Sequence, residues 1–243
     1  LSEAAQIKPQ DAEIRIQLGV GQLGAGNLTD AVLNLRKAVE IAPDSGEAHF
    51  NLGVAMFRMG NRSEAIKQWQ ESVRLRPDDH EAHFNLALVL EQDKRIDQAI
   101  EHYRLAVKAK PDYVMAQGNL GLALCTKGSL PEGLVHLAKA VELDPSNTAI
   151  RHNLAITLGR LGRHDQAIAQ WQYILQREVG NAEALVYLGV EYAQTGQFEK
   201  ASRALDDALQ TARAAGNEKL ASQVAEQIRR LEQTRSAGAG SGR

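Results

Sequence analysis

Four asparagines, Asn51, Asn85, Asn119 and Asn153, recur at intervals of 34 residues, with Gln17 one interval before them and Tyr187 one interval after. A carboxamide donates and accepts hydrogen bonds at once, so a row of them could hold the amide groups of an extended peptide without reading its side chains. Asparagine costs about 0.5 kcal/mol against alanine inside a helix. Its return in one register therefore has two readings: a binding face, or a residue copied by duplication and bonded within its own repeat. The preceding column holds Ile16, Phe50, Phe84, Gly118, His152 and Val186, in which Phe50 and Phe84 could form a pocket for a ligand's apolar anchor. Three residues after the asparagines stand Val20, Val54, Leu88, Leu122, Ile156 and Val190, an apolar floor for which packing between neighbouring units is the favoured role. Arg58 and Arg160 complete the candidate binding residues. Glu13, Glu47, Glu81 and Glu183 share a further column, where acids suit the start of a helix; as a binding rim they would prefer basic segments.

Other reactive side chains are less telling. A metal site needs about three or four converging ligands. The seven histidines, His49, His80, His83, His102, His136, His152 and His164, fall partly into shared columns (His49 with His83, His102 with His136). Surface or packing roles are expected for them, with no metal and no cofactor. Cys125 reads as a small buried hydrophobe, because no base stands near it in sequence. There is no phosphate-binding glycine loop, nucleophile elbow or zincin pair, so a catalytic role is not expected.

The elements that would position these residues follow from the same period. Five of the six prolines, Pro9, Pro43, Pro77, Pro111 and Pro145, are spaced by 34 residues. Leu18, Leu52, Leu86, Leu120, Leu154 and Leu188 each precede a small residue, Gly19, Gly53, Ala87, Gly121, Ala155 or Gly189. A second small column runs through Ala31, Ala65, Ala99, Gly133, Ala167 and Ala201, and a bulky one through Leu35, Trp69, Tyr103, Leu137, Trp171 and Leu205. Small residues on paired helices let their axes approach, and the bulky residue fills the space beside them. Gly60, Gly128, Gly162 and Gly196 mark the turns between helices; Lys94 stands in that column and predicts the same turn under slight strain.

These columns resemble the tetratricopeptide repeat family, whose motif spaces large and small residues and a proline over about 34 residues. The resemblance implies an all-α fold, a right-handed superhelical solenoid of helix-turn-helix repeats whose first helices line a concave groove. It places repeats at 12–45, 46–79, 80–113, 114–147, 148–181 and 182–215, after the end of a truncated preceding repeat at 1–11. A capping helix is expected at 216–235 and a flexible tail at 236–243. Val179 replaces the proline in the fifth repeat, where Gly180 and Asn181 can break the helix instead. In the sixth, Arg213 takes that place, and a longer second helix follows. The chaperone-tail clamp known in the family needs Lys in the Phe50 column and Asn in the Val54 column; neither occurs.

A formal net charge of -2 gives no general pull towards nucleic acid, and no run of about 18 apolar residues suggests a membrane span. The expected function is a protein-interaction scaffold that binds a protein or peptide segment in the groove, in the cytoplasm, without nucleic acid and without membrane insertion. The alternatives are the substrate-recognition array of a larger enzyme such as a glycosyltransferase, or a scaffold that self-associates through its open N-terminal repeat edge.

Overall fold

Several helices in this chain start where an oxygen-bearing side chain accepts an otherwise unpaired backbone N–H. Asp11 accepts from Ile14 N, Ser45 from Ala48 N, Asp79 from Ala82 N, Asn147 from Ile150 N and Asn181 from Ala184 N, at 2.9–3.2 Å. The computed structural model describes residues 8–240, with side chains described as far as Arg235. The helices are α1 (Ala12–Gly24), α2 (Leu28–Ile41), α3 (Gly46–Arg58), α4 (Arg62–Leu75), α5 (His80–Gln92), α6 (Ile96–Ala109), α7 (Val114–Thr126), α8 (Leu130–Leu143), α9 (Thr148–Arg160), α10 (His164–Arg177), α11 (Ala182–Gln194), α12 (Phe198–Ala214) and α13 (Glu218–Gly240). There is no strand among the described residues.

Turns between paired helices use one device. After α3, Gly60 adopts φ 81°, its N–H reaches Phe57 O at 2.9 Å, and Asn61 N–H reaches Met56 O at 2.9 Å. Left-handed backbone at this point satisfies the last carbonyls of the helix. Lys94 makes the same turn at φ 60° with the same bonding, to Glu91 O and Leu90 O.

By internal contacts the chain divides into two compact units, Leu1–Ala123 and Leu124–Arg243. Each is a run of helical hairpins. In unit one α1 packs on α2, α3 on α4 and α5 on α6, while α2 meets α3 and α4 meets α5. In unit two the corresponding contacts join α8 to α9, α9 to α10, α10 to α11, α11 to α12 and α12 to α13. The fold is an all-α helical-repeat solenoid. Its bulky column is buried throughout, from Leu35 at 0% exposed to Leu205 at 2%. Gly53 shows why its partner must be small: a Cβ there would stand 2.5 Å from Trp69 Nε1. That indole N–H donates to Phe50 O at 3.2 Å. Ala155 holds the Gly53 register in unit two, and there the Trp171 N–H is buried without a hydrogen-bond partner among the described residues.

The long second helix expected near Arg213 is α12, with 17 residues against 14 in α10. Gly180, at φ 78°, follows α10 without a proline. One expectation changes. Helix α13 runs on to Gly240, into the segment read as a flexible tail. An established helix adds one hydrogen bond for each residue it fixes, so a Ser-Ala-Gly composition does not by itself stop it. Residues 1–7 and 241–243, to which part of the expected preceding repeat and of the tail belong, lie outside the described residues.

Candidate functional site

Every asparagine of the recurring column sits half-exposed on a first helix: Asn51 on α3, Asn85 on α5, Asn119 on α7 and Asn153 on α9. Asn51, Asn85 and Asn119 belong to unit one and Asn153 to unit two. Their bonding differs. Asn51 Nδ2 donates to the Glu47 carbonyl one turn back at 3.0 Å, and Asn119 Nδ2 lies 3.5 Å from the Tyr103 hydroxyl. That hydroxyl donates to Glu91 Oε2 at 2.8 Å, and burial, with Glu91 beside it, pushes its pKa up. The carboxamides of Asn85 and Asn153 have no protein partner among the described residues.

The register of α1, α3 and α5 brings one group of the expected residues together. An open depression of about 990 Å³ in unit one is lined by Gln17 and Val20 from α1, by Glu47, Phe50 and Asn51 from α3, and by His80 and Glu81 from α5. Asp44, Asp78 and Asp79 add carboxylates from the loops that precede α3 and α5. Arg76 is its one Lys or Arg side chain. It pairs with Asp79 at 3.2 Å, and its stem lies where a Cβ on Gly46 would be.

Phe84 requires a correction. Expected with Phe50 as a ligand pocket, it is 7% exposed and packs its ring 5.9 Å from Tyr103 and 5.0 Å from Tyr113. Tyr113, arriving at the start of the next hairpin, packs on the Phe84 ring and contributes to its burial. Phe50 has no such cover and stays half-exposed. Val20 and Leu122, in the column expected to pack between repeats, are 40% and 39% exposed.

Unit two has separate hollows. His152 and Asn153 line one of about 370 Å³, and Tyr187 with Val186, Val190 and Leu220 lines one of about 850 Å³ between α11 and α13. Tyr187 stacks on Trp171 at 4.8 Å, with His152 edge-on to both rings. Arg160 is exposed and unpaired among the described residues, whereas the Arg58 guanidinium donates to Leu23 O at 3.0 Å and ties the end of α3 to that of α1. Gln17 is exposed and donates to Glu13 Oε1 at 2.9 Å. Cys125 is buried, its sulfur 3.4 Å from Thr157 Oγ1.

Sequence reasoning missed what some of the histidines do. Arg15, His49, His83, Gln117 and Arg151 share a column, and each donates to the carbonyl of the proline six residues earlier: Pro9, Pro43, Pro77, Pro111 or Pro145, at 2.8–3.4 Å. Arg15, His49, His83 and Arg151 also reach the second helix, at Asn34, Gln68, His102 and Gln170. Each such side chain clamps the helix break to the hairpin that follows. His83 Nε2–H faces the Pro77 carbonyl, so its Nδ1 accepts from His102 Nδ1–H at 3.0 Å. Burial first, and His83 second, lower the His102 pKa to about 4. The signal was legible: the hairpin with Val179 in place of proline has Leu185 in place of the donor. No cluster of three or more His, Cys, Asp or Glu among the described residues could hold a metal ion. No helix among them is long and apolar enough to cross a membrane.

Three models of the tetratricopeptide repeat match the chain, at residues 25–60, 55–114 and 136–169. The chain is a tetratricopeptide repeat protein. No curated protein sequence is significantly similar to it. Among solved structures, PilF of Pseudomonas aeruginosa is similar at TM-score 0.63 and 22% identity, over 90% of this chain and 91% of that one. MamA from residue 41 onward, of Desulfovibrio magneticus RS-1, matches at TM-score 0.62 and 23% identity, over 70% of this chain and 96% of its own. YrrB, described as a tetratricopeptide protein with an unusual peptide-binding site, matches at TM-score 0.57 and 20% identity, over 93% and 97%. Likeness at such identities shows the fold alone. Membership in the tetratricopeptide repeat family supports the general role of a protein-interaction scaffold.

Proposed function

We propose that this tetratricopeptide repeat protein holds an extended segment of another protein against the first helices of unit one, and that it works by binding rather than catalysis. The carrying observation is the depression in which Gln17, Phe50 and Asn51 meet on an open surface. In this reading Asn51, Asn85 and Asn119 meet the backbone of the bound segment and Phe50 meets one of its side chains. A carboxamide row suits that task because the amides of an extended chain offer donors and acceptors in turn. Asn85 supports the assignment, since its half-exposed carboxamide has no partner of its own among the described residues. Asn153, Tyr187 and Arg160 lie in unit two, where they form separate contact points.

The test is a variant with Asn51, Asn85 and Asn119 all changed to Ala. Alanine favours helix, so circular dichroism should show the fold retained. Peptides selected on the parent chain should then bind about tenfold more weakly or worse, as expected when about three net hydrogen bonds of 0.5–1.5 kcal/mol are lost. Equal affinity would reject the role given to the asparagines.

A further inference from the structure

We propose that the depression in unit one selects cationic segments, taking a lysine or arginine whose methylene stem lies on Phe50 and whose charged head sits among the carboxylates. This rests on the binding role just assigned and adds the chemistry of the ligand. Asp44, Glu47, Asp78, Asp79 and Glu81 line the depression, against Arg76 alone among Lys and Arg. Arg76 and Asp79 neutralise each other at 3.2 Å, and Asp79 also caps α5. Asp44, Glu47, Asp78 and Glu81 have no ion-pair partner among the described residues.

The start of a helix accounts for part of this charge, because the macrodipole favours acids there. It does not account for the apolar surface beside it. Val20 is 40% exposed and Phe50 half-exposed in the same hollow. Aromatic and aliphatic surface next to unpaired carboxylates fits side chains that are apolar along the stem and positive at the tip. An acidic ligand would meet like charge, and a purely apolar one would strip water from carboxylates and give nothing back.

A random peptide-display library selected on the full chain, with the selected peptides then synthesised and titrated, tests this. The expected peptides carry Lys or Arg. Their affinity should fall between about 0.05 and about 0.5 M salt, as screening requires. Glu47→Gln with Glu81→Gln should weaken them about tenfold while circular dichroism stays unchanged. Peptides that are neutral or acidic, lose affinity with Phe50→Ala and Asn51→Ala, and ignore the two glutamine changes would overturn cation selection and leave the scaffold role standing. Peptides indifferent to every variant in the depression would overturn both.

Discussion

At single residues, one tight constraint is the meeting of Gly53 with Trp69. A methyl at position 53 would come 2.5 Å from the indole nitrogen, which is held by Phe50 O and cannot retreat without losing that bond. Gly53→Ala should therefore lower stability by about 2–3 kcal/mol, measured by urea denaturation, despite alanine's better helix propensity. His102 gives a prediction in pH. Its pKa is about 4 in the fold against 6.5 for the free side chain, so between these values the unfolded chain binds more protons. Stability is then fully present above pH 6.5 and falls as pH drops towards 4. The loss should be about 1–2 kcal/mol, less than the whole shift implies because the ring is partly exposed. Gln68 and Gln170 fill the same register in other hairpins, so His102→Gln should keep the clamp. Denaturation at neutral and at mildly acid pH should show the variant losing less than the parent. An equal acid loss in both would assign the pH dependence to other groups.

Among elements, the turns show what spacing could and could not reveal. The glycine column announced the turn after α3, and it placed Lys94 in the same conformation although nothing local favours a lysine there. Lys94→Gly should stabilise the chain by about 0.5–1 kcal/mol, the relief of left-handed backbone exceeding the entropy that glycine adds to the unfolded state. Thermal unfolding would show it as a higher midpoint, and a lower one would mean that the lysine side chain contributes more than the strain removes. Helix pairing and the buried bulky column were legible because each depends on residues at fixed separations within one repeat. Phe84 was misplaced because its cover, Tyr113, comes from the following repeat and has no counterpart in the column beneath Phe50. The proline clamps were overlooked for a related reason: Arg, His and Gln look unalike until one common task, donation to a carbonyl, is seen.

For the molecule as a whole, the consequence of a repeating chain is that stability is a sum of hairpin and neighbour terms, so damage should stay near where it is made. Gly189 allows a test. A Cβ there would stand 2.8 Å from Leu205 Cγ and 3.3 Å from the Ala201 carbonyl, so the obstruction includes backbone as well as a side chain. Gly189→Val should separate α11 from α12 and loosen α13, which packs on both. Amide hydrogen exchange should then rise through Ala182–Ala214 and the start of α13, while the slow amides of α1 to α6 keep their protection. Cationic peptides selected on the parent should still bind this variant at parental affinity, since every residue of the depression belongs to α1, α3, α5 and the loops before them. A uniform rise in exchange along the chain would show instead one cooperative unit. Loss of peptide binding together with that uniform rise would mean that the first-helix face of unit one depends on the integrity of unit two.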